Sequence, residues 1–151
     1  MPLDGSRSKQ PPNEQPDGHG TGHPEARDGV ERRRALVADE DPMMLWLLRR
    51  VLGDDFDVTV AENGQRAVEL AATCCPDVIV LDLTMPVMDG FAACRLIRAA
   101  HPRVPIVIVS GHTDEDSVRS AFEAGATDYL TKPFTPSQLR ARLRASLLRA
   151  R

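Results

Sequence analysis

A length of 151 residues suits one domain, and a formal net charge of −3 gives no general pull toward nucleic acid or an anionic membrane. No apolar run approaches the roughly 20 residues of a membrane span, and the polar start MPLDGSRSKQPPNEQ lacks a signal peptide's apolar segment, so a cytoplasmic location is expected. Cys74, Cys75 and Cys94 have neither CxxC nor Cys/His spacing and read as reduced thiols, not zinc ligands.

Residues 1–33 are rich in Pro, Gly, Gln and Asp without apolar periodicity, the composition of a disordered tail. His19 and His23 read there as tail histidines rather than metal ligands. Arg32, Arg33 and Arg34 read as a solvated approach to the first strand. From Ala35 onward, short apolar runs alternate with segments of helical period, which predicts a βαβ array with a parallel sheet. The strands are expected at 35–39, 56–61, 77–82, 104–110 and 127–131. Helices are expected at about 42–53, 64–74, 87–100, 114–124 and 136–149. Pro42 and Pro136 suit first helical turns, Thr135 with Gln138 forms a capping-box pattern, and Gly125 suits a left-handed helix end. Leu139, Leu143 and Leu147 make one apolar stripe on the last helix. With five strands and five helices assigned, no output domain is expected within these residues.

Ligands of parallel α/β sheets bind beyond the carboxyl ends of the strands, so the residues there decide function. Strand one ends in Asp39-Glu40-Asp41, strand three in Asp82 and strand four in Ser110, while strand five leads to Lys132-Pro133. Three or four carboxylates, a hydroxyl and a lysine are expected to converge on one rim. Clustered carboxylates raise one another's pKa unless a cation joins them, and such all-oxygen donors suit Mg²⁺ (or Mn²⁺). Asp41 before Pro42 reads instead as a helix cap.

The segments ALVADEDP, VIVLDLTMPVMDGF, IVIVSG and GATDYLTKPF, in this order and spacing, resemble the receiver domain of two-component response regulators, of the stand-alone, chemotaxis-regulator type. The resemblance covers residue 35 to about 149, with the domain taken as 34–151. It implies a flavodoxin-like α/β fold, a doubly wound five-stranded parallel sheet, (βα)5, in strand order 2-1-3-4-5. It further implies that Asp82 accepts a phosphoryl group from a histidine kinase or phosphotransfer protein. Asp39, Glu40, Asp82 and the Thr84 backbone carbonyl would hold the metal. The family usually has Asp where Glu40 stands, and the longer reach of Glu40 leaves two modes open, direct coordination and contact through water. Ser110 would be the switch hydroxyl, Tyr129 the switch aromatic and Lys132 the phosphate-pairing cation, with a cis peptide before Pro133. Thr84 and His112 would flank the water that hydrolyses the phosphate. The protein would catalyse only its own phosphoryl transfer and dephosphorylation, as a monomer or weak dimer.

Three other classes fit less well. A haloacid-dehalogenase-type phosphatase would need Asp where Thr84 stands, and a flavin-binding sheet would need an anion-cradling loop where Glu40-Asp41-Pro42 is acidic. A phosphorylation-independent adaptor of the same shape typically lacks the acceptor Asp or the Lys, and this chain has both.

Two helix surfaces complete the reading. On the first helix Met44, Leu45, Leu48, Val51 and Leu52 form a buried face, leaving Met43, Trp46 and Leu47 outward with Arg50 as a candidate docking surface for the phosphodonor protein. Arg140, Arg142, Arg144 and Arg149 of the last helix read as a solvated face complementing the helix dipole, with no nucleic-acid binding expected.

Overall fold

Alternation within the strands decides the layering, because successive side chains leave a strand on opposite faces. In the computed structural model, which describes residues 32–150, five strands form one sheet: β1 (Arg33–Ala38), β2 (Phe56–Ala61), β3 (Val78–Leu81), β4 (Ile106–Ser110) and β5 (Asp128–Thr131). All pairs are parallel, in the order β2-β1-β3-β4-β5. Five helices connect and follow them: α1 (Pro42–Leu52), α2 (Gly64–Cys74), α3 (Gly90–Ala100), α4 (Glu115–Glu123) and α5 (Pro136–Arg149).

Val37, Val80, Val107 and Val109 pack with Leu48, Val51 and Leu52 of α1 and Leu139, Leu143 and Leu147 of α5. Leu36, Ile79, Leu81, Ile106 and Ile108 face the other way, onto small residues of α2, α3 and α4 such as Ala67, Ala71, Ala93 and Ala121. The sheet is therefore covered on both faces, which explains why every residue of β3 and β4 is buried. The expected fold and strand order hold.

Most boundaries fall within two residues of expectation, and two differences are instructive. β1 starts at Arg33 rather than Ala35, because Arg33 and Arg34 pair in register with Phe56 and Asp57. An arginine pair joined to the sheet only by backbone leaves no apolar signal. α3 starts at Gly90 rather than residue 87, because Asp89 caps it, accepting from Ala92 N–H at 2.9 Å. The expected tail, with His19 and His23, lies outside the described residues apart from Arg32 and Arg33.

Local chemistry settles other ends as expected. Asp41 caps α1 by accepting from Met43 N–H, Thr135 and Gln138 form a complete capping box, and Gly125 has φ +113°. Cys74, Cys75 and Cys94 are free thiols, and burial pushes Cys94 up to about 11. No helix among the described residues is long and apolar enough to cross a membrane.

Candidate functional site

The strand order reverses between β1 and β3, and the crevice beyond their carboxyl ends is where such sheets take ligands. Asp39 and Asp82 leave the sheet there side by side. Their backbones continue the ladder for one step: Asp39 N–H donates to the Ala61 carbonyl at 3.1 Å and Asp82 N–H to the Ala38 carbonyl at 3.0 Å. Both acids are buried, Asp82 being 8% exposed.

Lys132 reaches this pair from beyond β5, where a cis peptide joins it to Pro133. Its ammonium donates to Asp39 Oδ2 at 2.9 Å and lies 3.6 Å from Asp82 Oδ2. One cation thus serves two carboxylates. Burial and then the Asp39 charge push Asp82 above the usual carboxylate range, outweighing the lowering by Lys132 and the Thr84 and Leu83 backbone. Burial would lower the Lys132 pKa, yet its hydrogen bond to Asp39 and the charges of Asp82 and Asp39 hold it above its ordinary value.

The remaining residues frame the pair. Ser110 is fully buried at the end of β4, its hydroxyl accepting from His112 N–H at 3.1 Å and its carbonyl accepting from Lys132 N–H at 2.8 Å. Tyr129 is half-buried and donates its hydroxyl to the His112 carbonyl at 2.6 Å. His112 Nε2 lies 3.3 Å from Thr84 Oγ1. The structure therefore joins Ser110, His112, Tyr129 and Thr84 in one hydrogen-bonded chain beside Asp82.

The expected gathering of three or four carboxylates is narrower than the sequence suggests. Among the described residues, no three His, Cys, Asp or Glu side chains lie close enough together to hold a metal ion. Asp41 is committed to its helix cap and Glu40 is exposed, which leaves Asp39 and Asp82 as the pair. Two buried carboxylates against one ammonium still fit Mg²⁺, a hard cation that commonly takes only one or two protein carboxylates and keeps waters. The raised pKa of Asp82 marks the charge such an ion would neutralise.

Sequence reasoning missed how the loop after Asp82 is held. Gly90 lies so close that a Cβ there would fall 2.1 Å from the Asp82 carbonyl oxygen, and its N–H donates to the Leu83 carbonyl at 2.9 Å. Gly64 N–H donates to the Met88 carbonyl at 3.1 Å, tying the loop to the start of α2. The two glycines were the available signal, and nothing local paired Gly64 with Met88.

Residues 35–144 match the response regulator receiver domain family. The chain belongs to this family. The DNA-binding response regulator MtrA of Mycolicibacterium smegmatis is 43% identical over 119 residues, covering 78% of this chain and 52% of that protein. The DNA-binding transcriptional regulator NtrC of Escherichia coli K12 is 41% identical over 106 residues, covering 70% of this chain and 23% of that protein. The chain therefore spans about half the length of the first relative and less than a quarter of the second. Among solved structures, the BeF3-activated DrrB receiver domain superposes with a TM-score of 0.72 at 32% identity, over 78% of this chain and 98% of that one. Chemotaxis protein CheY4 of Vibrio cholerae gives 0.74 at 28% identity, over 77% and 99%.

The α1 surface lies as the helical wheel predicts. Met43, Trp46 and Leu47 are exposed, and the Arg50 guanidinium sits 5.5 Å from the centre of the Trp46 ring. The α5 arginines are less uniformly solvated than expected. Arg140 donates to the Val51 carbonyl at 3.2 Å and Arg142 pairs with buried Asp128 at 3.3 Å, while Arg144 and Arg149 are exposed. Two of the four thus tie α5 to the domain.

Proposed function

We propose that this receiver domain is a phosphorylation-dependent signalling switch in which Asp82 accepts a phosphoryl group from a histidine kinase or phosphotransfer protein in the cytoplasm. The observation that carries this reading is the Lys132 ammonium held between the Asp39 and Asp82 carboxylates at the crevice. In the transfer, an Asp82 carboxylate oxygen bonds to phosphorus as the P–N bond to imidazole breaks, and the departing imidazole nitrogen takes up a proton. Such transfer depends mainly on in-line positioning and charge neutralisation. Lys132 contributes part of that neutralisation and Ser110 contributes a hydrogen bond to a phosphoryl oxygen. Asp39, Glu40, Asp82 and the Thr84 carbonyl would hold Mg²⁺ (or Mn²⁺), Glu40 through water. When bound, the ion supplies further neutralisation of the phosphoryl oxygens.

Ser110 turning toward the phosphoryl group gives up the His112 N–H, and Tyr129 then moves into the vacated space. One charge-assisted hydrogen bond contributes about 1.5–3 kcal/mol, whereas reversing a 1:99 population needs about 5.5 kcal/mol. Lys132 and the loop holding His112 therefore share the work. Thr84 and His112 set the access of hydrolytic water. The chain catalyses its own phosphoryl transfer and hydrolysis and acts on no other substrate. The exposed face of α1 with Met43, Trp46 and Leu47 receives the donor protein.

The test is incubation with phosphoimidazole and Mg²⁺ followed by intact mass. The natural chain gains one phosphoryl group and Asp82→Asn gains none. Equal labelling of both would place the acceptor elsewhere, and no labelling of the natural chain would favour a phosphorylation-independent adaptor.

A further inference from the structure

Positive charge gathers at the end of β1 opposite Asp39. The alternation that sends Ala35 and Val37 of β1 toward α1 and α5 sends Arg33 the same way. On α5, Arg140, Arg144 and Leu147 follow at spacings of four and three and so share one helix face. With Asp55 and Phe56 at the start of β2, these residues line a groove of about 180 Å³ that holds three guanidiniums against one carboxylate.

The resting domain does little to offset that charge. Among the described residues, the Arg33 and Arg144 guanidiniums and the Asp55 carboxylate make no ion pair. Arg140 and Arg144 are like charges four residues apart, an arrangement that destabilises a helix. Neither stands in the last turn of α5, where Arg149 alone meets the helix dipole. Arg140 is nevertheless held in place, since it donates to the Val51 carbonyl at 3.2 Å and keeps further N–H groups to donate. Like charges held together without a counter-charge point to an anion from outside, and the guanidinium fork matches phosphate oxygens in pairs.

Arg33 and Leu147 also line a second groove, of about 600 Å³, within the size range of small-molecule sites. Pro76, Pro102, Val104 and Pro105 give it stiff apolar walls, and His101 adds a flat ring. Its other charged groups, Arg103 and Asp77, are of opposite sign. A phosphate in the arginine groove can therefore carry a ring-sized body past Leu147 into the larger one. We propose that the two grooves form one nucleotide site, with the phosphates on Arg33, Arg140 and Arg144 and the base and sugar against His101 and the proline walls. The site is separate from the acidic pair and does not depend on the phosphoacceptor reading of Asp82.

The test is calorimetric titration of the full chain with ADP, GDP, adenosine and pyrophosphate, in low salt without divalent cations so that no metal carries phosphate to the acidic pair. ADP or GDP should bind one to one, roughly tenfold or more tighter than pyrophosphate or adenosine. Arg33→Ala and Arg144→Ala should each weaken that binding roughly five- to tenfold, with an unfolding midpoint no lower than that of the natural chain. His101→Ala should weaken the nucleotide and leave pyrophosphate unchanged. Arg149→Ala, which removes an arginine outside the groove, should stay within about twofold of the natural chain. No binding of either nucleotide at roughly 1 mM, equal affinity for pyrophosphate, or an equal loss in Arg149→Ala overturns the site. So does weaker binding by Arg144→Ala with a lowered unfolding midpoint, which would trace the loss to the fold.

Discussion

The two ends of the sheet handle polar groups in opposite ways. At the amino-terminal edge, groups that left their helices or strands find partners. Arg98 donates to the Gly125 carbonyl through Nε and Nη2 at 2.9 and 2.8 Å and reaches the His101 carbonyl at 3.1 Å. The Thr127 hydroxyl accepts from Ile106 N–H at 3.0 Å, and Arg34 N–H donates to Asp77 Oδ2 at 2.7 Å. At the carboxyl-terminal edge, two buried carboxylates share one ammonium, and burial with like charge raises the Asp82 pKa. The first arrangement stabilises the resting fold. The second keeps charge at a cost to that fold, which is how a site prepared for a charged reactant differs from a satisfied loop.

The largest expected effect comes from removing the shared cation. Lys132→Ala should slow phosphoimidazole labelling by about 100-fold or more, because neither the carboxylate pair nor the arriving phosphoryl group retains its ammonium. A rate within about threefold of the natural chain would show that the two edges differ less than the geometry indicates.

Arg98→Ala tests the other edge. It should lower the unfolding free energy by about 2–3 kcal/mol in urea titration, since hydrogen bonds from a charged donor to two loop carbonyls are lost. Labelling of Asp82 should persist. If Arg98→Ala abolished labelling while folded, the edges would be coupled rather than separate.

A smaller effect should follow from Thr84→Ala combined with His112→Ala, which removes the 3.3 Å contact beside Asp82. The dephosphorylation rate should change several-fold, on the scale of about 1 kcal/mol, with little effect on stability. An unchanged rate would confine the functional chemistry to the acidic pair, Lys132 and Ser110.

The smallest effect is a pH dependence. Asp82 has a folded pKa above its unfolded value near 3.8, so the native chain holds that proton more tightly than the unfolded one. Stability should therefore fall as pH rises between those two values, and the cost is fully present above the folded pKa. Asp82→Asn should be more stable than the natural chain at neutral pH, with the difference fading as pH falls through the ordinary carboxylate range. Equal stability at both pH values would mean that Lys132 already compensates the pair.

Much of this molecule was legible from the sequence because the deciding physics is local. The unbroken apolar runs of β3 and β4, the leucine stripe of α5 and the caps at Asp41 and Thr135 depend on neighbours within a few residues. Asp39, Asp82, Ser110 and Lys132 were legible as well, since the rule that strands end at the ligand edge turns a sequence position into a place. Only the tertiary structure decided that Asp39 takes the shorter bond to Lys132, that Glu40 is exposed, and that His112 links Ser110, Tyr129 and Thr84. The start of β1 at Arg33 and the hold on the loop after Asp82 likewise depend on Phe56, Gly64 and Gly90, residues outside any local window or pressed against the loop from beyond it. The difference is one of range: periodicity and capping are set along the chain, whereas sharing a cation or holding a turn requires partners that only folding brings together.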